Sequence, residues 1–260
     1  MVEVVSLKVW GNDMRLDALV SNDPVRALVY GPTGAGKSTL AGLMALHAQF
    51  SPIYVADWDL RIASLRRKLP SEVWKNIEVE PYRDVNIQGE AFTKLQAKLE
   101  RIQGEGFKAF VNDSLTFCTR AVMARVLMLD GNKPPTFTPQ LQHYMQSISL
   151  TEEFVSRACS KNMAVIMTCH EDTQRDEILG RLYKAVDLTG KSANRIPGYF
   201  NEFWHCEVLQ TTAKEPQYCV RTRSDMVYAA RTSFKTLEPV ESADGIWGKI
   251  VAEMNPSAKP

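Results

Sequence analysis

The sequence predicts an α/β protein with a mainly parallel central sheet, helices on both of its faces and an antiparallel extension toward the C-terminal end. Three observations carry this expectation. Short apolar runs alternate with helical patterns between residues 27 and 168, as strands covered on both faces by crossover helices do. The first run leads straight into a glycine-rich turn and then an apolar helical stretch. Past residue 200, strand-like runs follow one another with no helix between them.

Each element has its own justification. Ala27, Leu28, Val29 and Tyr30 form the first strand, and residues 38–50 follow with helix-forming Leu, Met and Ala. Residues 53–56 make a second strand that ends at Asp57, Trp58 and Asp59. Residues 60–69 read as a helix stopped by Pro70. Between 90 and 103, Phe92, Leu95 and Leu99 recur at helical spacing. Residues 109–111 are a third strand, ending at Asn112, Asp113 and Ser114. A helix to about 129, a proline-rich loop over 133–139 and a helix over about 140–160 precede the strand 164–168. The late strands fall at 203–210, 217–223 and 226–231. This divides the chain into an N-terminal strand or linker segment (1–24), one domain (25–235) and a loosely ordered tail (236–260) with at most a short helix.

Composition narrows the classes. Of 260 residues, 45% are hydrophobic and 23% charged, enough for one substantial core. A net charge of +1 argues against a broadly basic, nucleic-acid-coating surface, so any such contact must be a local patch. No apolar run approaches the roughly 20 residues that span a bilayer, which predicts no membrane partner. Five cysteines, with no C-x-x-C spacing, predict reduced thiols in a cytoplasmic setting. Cys169-His170 and His205-Cys206 lack the closely spaced pairs of structural zinc sites, and the two cysteines read better as buried strand residues.

Gly31, Pro32, Thr33, Gly34, Ala35, Gly36, Lys37 and Ser38 fit the pattern G-x-x-x-x-G-K-[S/T] in full, with Thr39 beside it. Glycines let main-chain amides close around phosphate oxygens at dihedral angles and distances that a Cβ forbids. The following helix turns its positive end toward the anion. Lys37 supplies a movable charge for the β and γ phosphates, and the Ser38 hydroxyl is placed to hold Mg²⁺. The pattern implies binding of a nucleoside triphosphate with Mg²⁺.

Ligands of open α/β sheets bind at strand ends beside such a loop. Asp113 is the expected second Mg²⁺ residue. Ser114 follows it, so a water-activating carboxylate must come from elsewhere. Asp59 is the preferred candidate and Asp57 the second, although both also suit a helix cap. His170, past the strand 164–168, reads either as a sensor of the γ-phosphate or as a polar strand end.

Together these pieces resemble the RecA-like ATPases, and more narrowly a group of compact phage-encoded nucleotide-binding proteins, some of which act in single-strand annealing and recombination. The residues are 31–38, Asp57-Trp58-Asp59, Val111 to Ser114, Met167 to His170, Arg221-Thr222-Arg223 and the stretch 188–200. The resemblance implies a RecA-like core, ATP hydrolysis, and self-association into a ring or filament with ATP between subunits. It also implies a cytoplasmic setting, that of the host if phage-encoded. Asp59 stands where these proteins usually carry Glu. Arg221 and Arg223 stand where basic residues reach a neighbour's γ-phosphate, although two solvated strand arginines explain them equally. Loops 130–144 and 171–195 would face single-stranded DNA, the first with Lys133, Phe137, His143 and Tyr144, the second with Arg175, Arg181, Lys184, Lys191 and Arg195. A solvated connection is the alternative reading. Arg61, Arg66, Arg67 and Lys68 form a further basic cluster.

The leading expectation is therefore an ATPase of phage DNA recombination that couples nucleotide state to single-stranded DNA. A small-molecule phosphotransferase and a nucleotide-gated assembly protein with negligible turnover are the alternatives.

Overall fold

The computed structural model describes residues 23–84, 89–131, 133, 137–176, 180–209 and 216–255. The expected segment 1–24 therefore lies almost wholly outside the described residues. Among the described residues there are nine strands: β1 (Arg26–Gly31), β2 (Ile53–Asp57), β3 (Ile77–Pro81), β4 (Ala109–Asp113), β5 (Ala164–Arg175), β6 (Leu182–Val186), β7 (Glu202–Leu209), β8 (Gln217–Arg221) and β9 (Val240–Ser242). Their order is β3-β2-β4-β5-β1-β7-β8-β9, with β6 paired to the far half of β5. The first six strands of that order run parallel, while β8 is antiparallel to both β7 and β9. This is the mainly parallel sheet with an antiparallel C-terminal extension that the alternation of elements predicts.

Helices α1 (Lys37–Leu43), α2 (Glu90–Arg101), α3 (Leu115–Leu129), α4 (Leu141–Cys159), α5 (Ser192–Arg195) and α6 (Ile246–Met254) complete the elements. Central strands such as β2 and β4 are buried along their whole length, because both faces are covered. On one face Phe92 and Leu95 of α2 and Phe154 of α4 pack on Tyr54 and Phe110. On the other, Leu40 of α1 and Trp247 of α6 pack on Val29, Val55 and Trp204. Each such side chain contributes about 1.5–3 kcal/mol by leaving water.

Several expectations need correcting. The helix expected over 38–50 is α1 plus a single 3-10 turn, Met44–Leu46, because the backbone turns extended at His47, four residues before Ser51. Residues 60–69 form a 3-10 segment, Ile62–Arg67, in place of an α-helix. Residues 226–231 make only the isolated bridges Lys184 to Tyr228 and Phe203 to Arg231. The tail expected to be loose contains β9 and α6. Trp247 is buried there, and its indole nitrogen donates to the Leu40 carbonyl at 2.7 Å, so apolar burial fixes this segment to α1. Residues 256–260 lie outside the described residues.

Candidate functional site

Parallel pairing brings the C-terminal ends of β1, β5, β4 and β2 side by side. Gly31 is level with His170, and Asp57 is level with Asp113. The glycine loop that follows β1 thus opens against the ends of β5 and β4. Gly31 has φ +152°, and a Cβ there would lie 2.3 Å from the Cys206 carbonyl oxygen. Gly36 has φ +89° and sits against the Tyr218 ring. Any other residue at these two positions would push the loop off its neighbours.

Lys37 is buried, and its Nζ donates to the carbonyls of Gly31 at 2.7 Å and Pro32 at 2.8 Å. Burial lowers its pKa, against the opposing pull of Cys206, Asp113 and Asp59 nearby. Thr33, Gly34, Ser38 and Thr39 line the cleft directly. Ala35 instead packs into the core beneath, and its amide closes a turn onto the Pro32 carbonyl at 3.2 Å. The cleft has a volume of about 530 Å³ and continues past the loop to Lys68 and Tyr218.

Asp57 and Asp59 have separate fates, because Trp58 ties the turn between them to β4. Its amide donates to the Asp113 carbonyl at 2.7 Å and its indole to Asn112 Oδ1 at 2.8 Å. Asp57 accepts from the amides of Arg61 at 3.3 Å and Ile62 at 3.2 Å, and so caps the 3-10 segment. Burial raises its pKa despite those bonds. Asp59 faces the cleft, accepting from Ser114 Oγ at 2.8 Å and lying 3.3 Å from His170 Nε2. Burial works to raise the pKa of Asp59, but the bonds from His170 and Ser114 outweigh it and hold the carboxyl below its ordinary value. An anion so placed suits orienting a water better than removing a proton outright.

Asp113 is 1% exposed, and burial raises its pKa against the hydroxyls of Thr168 and Ser38. Thr168 bonds its Oδ1, while Oδ2 is buried with no hydrogen-bond partner among the described residues. A buried carboxylate oxygen left without a donor, beside the loop serine, is what a hard divalent cation would satisfy. Ser38 and Asp113 therefore fit Mg²⁺. His170 bridges the cleft, with Nδ1 at 3.5 Å from Thr33 Oγ1 and Nε2 toward Asp59.

Not every expected residue arrives here. Arg221 sits on β8, level with His205, on the sheet face opposite α1. It pairs with Glu207 at 2.8 Å and Asp225 at 3.0 Å and lies over the Tyr228 ring. Arg223 lies beyond the end of β8 and reaches the Leu237 carbonyl at 3.4 Å, so the two do not share a strand face. Neither lines this chain's own cleft. His143 is buried and caps α4, accepting from the Gln140 amide and meeting Asp130 at 2.8 Å, so it offers no stacking surface. The stretch 171–195 holds an antiparallel hairpin of β5 and β6 and then α5, where a loop was expected. Conversely, Ser114, Thr168, Lys68 and Tyr218 belong to the site and were not foreseen. Ser114 and Thr168 had a signal in their places beside Asp113 and two residues before His170; Tyr218 had none.

Comparison of the sequence with family models and with curated proteins finds no match. Among solved structures the chain is similar to a prototypical ATPase from the type III secretion system of pathogenic bacteria, at 17% identity and a TM-score of 0.47, covering 70% of this chain and 52% of that one. It is similar at 16% identity and a TM-score of 0.45 to the assembled ATPase EscN of the enteropathogenic E. coli type III secretion system, covering 71% of this chain and 43% of that one. EscN in complex with its central stalk EscO matches at 14% identity and a TM-score of 0.44, over 71% and 42%. The chain thus spans about half the length of the proteins it matches. Among its described residues no helix is long and apolar enough to cross a membrane.

Proposed function

We propose that this chain is a RecA-like ATPase core that binds Mg·ATP in the cleft between the 31–38 loop and the ends of β2, β4 and β5, and hydrolyses it. The observation that carries the reading is the convergence, at one sheet edge, of a glycine loop with its lysine, a buried carboxylate oxygen without a donor, and an ionised Asp59 held by Ser114 and His170. Loop amides and Lys37 would bind the phosphates, the ammonium exchanging its two loop carbonyls for phosphate oxygens. Ser38 and Asp113 would hold Mg²⁺, which supplies charge neutralisation on the transferring phosphoryl group. Asp59 would orient the attacking water, and His170, between Thr33 and Asp59, would stand where the terminal phosphate is sensed.

Release of phosphate at saturating Mg·ATP tests this reading. Nucleotide binding without any turnover would favour the gated assembly protein instead. The finer reading, a role in phage DNA recombination or single-strand annealing with self-association into a ring or filament, draws its support from the sequence resemblance. The β5–β6 hairpin that leaves the cleft at His170 is the element that would carry it. Binding of a labelled single-stranded oligonucleotide at low salt, with and without a non-hydrolysable ATP analogue, tests it; binding indifferent to nucleotide would remove the coupling.

A further inference from the structure

We propose that Glu171 is a positioning residue, the joint that fixes the β5–β6 hairpin to the sheet and so couples the hairpin to His170 in the cleft; this rests on the nucleotide-binding reading above. The strand itself marks the place. From Arg26 to Gly31, β1 pairs residue by residue with β5, and the last pair is Gly31 with His170. From Glu171 onward β5 pairs only with β6, so Glu171 is the first residue past the parallel sheet. Neighbouring residues on a strand point to opposite faces. His170 reaches Thr33 and Asp59 in the cleft. Glu171 faces the other way, where His205 and Lys184 bind it.

Both oxygens of that carboxylate are committed. Oε2 meets His205 Nε2 at 2.8 Å and Oε1 meets Lys184 Nζ at 2.8 Å. His205 belongs to β7 of the sheet, and Lys184 belongs to β6 of the hairpin. One side chain thus bonds both the fixed sheet and the hairpin, beside the main-chain bond from the Lys184 amide to the Val227 carbonyl at 2.7 Å. The fixed side is rigid: the His205 ring is 2% exposed, stacks on Tyr228 at 4.1 Å and meets the edge of Tyr30 at 4.9 Å. Its Nδ1 has no partner among the described residues, so Glu171 is the one side chain to which the ring is hydrogen-bonded there. The main chain on either side of the joint is pinned as well. The His170 amide donates to Thr116 Oγ1 at 3.0 Å, and the Asp187 amide returns from the end of β6 to the His170 carbonyl at 2.8 Å. A main-chain shift at His170 is passed through the next peptide to Glu171, and Glu171 carries Lys184 with it.

The test compares wild type, Glu171→Gln and Lys184→Gln by hydrogen exchange of the hairpin amides with and without Mg·ATP, beside ATP affinity and turnover. Lys184→Gln removes only the more exposed partner and serves if the first variant fails to fold. We expect nucleotide-dependent protection of the hairpin in wild type and its loss in both variants. ATP affinity should stay within about threefold while turnover at saturation falls roughly tenfold, a split that simple loss of stability does not produce. Variants that keep the wild-type protection change would overturn the joint while leaving the ATPase reading intact. A wild-type protein that binds no ATP would instead defeat the reading on which the joint rests.

Discussion

Replacing Asp59 by Asn removes one negative charge and little else. Asn keeps an oxygen for the Ser114 hydroxyl, 2.8 Å away in the native protein, and turns an amide N–H toward His170 Nε2, which accepts it once the ring proton sits on Nδ1 beside Thr33. The backbone of the turn stays anchored through Trp58. General bases contribute about 10²–10⁴ in rate. The lower end applies, because the two donors that hold Asp59 also depress its pKa and make it a poor proton acceptor. The expected loss is therefore about 100-fold in turnover, or about 2.7 kcal/mol of transition-state stabilisation at 1.36 kcal/mol per tenfold. Phosphate release at saturating Mg·ATP measures it, with nucleotide affinity determined separately and expected to change less than about threefold. A rate within twofold of a measurable wild-type rate, with binding intact, would refute the assignment.

Other outcomes follow from the same geometry. Asp57→Ala should cost about 1 kcal/mol of stability as a lost cap, seen in urea denaturation, and leave turnover within about threefold; a large fall in rate would exchange the roles of the two aspartates. Asp113 has a folded pKa raised above its unfolded value, so its contribution favours folding below the unfolded pKa and is lost as pH rises through the folded one. Asp113→Asn should therefore raise the melting temperature of the metal-free protein at neutral pH by roughly 2–4 °C per kcal/mol relieved, while weakening Mg·ATP binding; an unchanged Mg²⁺ requirement would contradict the metal assignment. Trp247→Ala should cost about 3–5 kcal/mol by denaturant titration, since it empties a core position between Phe50 and Trp204 and removes the bond to Leu40. A cost below 1 kcal/mol would return α6 to the status of a loose tail.

The legible parts of this protein are those where local chemistry and burial agree. A glycine loop between an apolar strand and a helix, and Asp113 or His170 just past a short run that is mostly apolar, announce themselves because sheet interiors leave few alternatives. Elements at the margins do not. β3 reads Ile-Glu-Val-Glu-Pro and lies at the sheet edge, where solvent on one side permits charges that hide a strand. β6 is held by pairing with β5 more than by burial. α6 is fixed by a distant partner, the Leu40 carbonyl, 207 positions earlier in the chain. The site divides in the same way. The loop, Asp59 and Asp113 lie together as spacing suggests, but which aspartate faces the cleft is decided by Trp58 bonding across to β4. Arg221 and Arg223, two apart in sequence, are separated because β8 ends at Arg221.

Titration of Mg·ATP into the wild-type protein and into Lys37→Ala, with circular dichroism to show that both are folded, tests the nucleotide cleft most directly. The wild type should saturate in the micromolar range, and the variant should bind at least about 100-fold more weakly, having lost the buried ammonium at the mouth of the loop. A wild type that takes up no nucleotide at millimolar Mg·ATP, or a folded variant that binds as tightly as the wild type, would contradict the account.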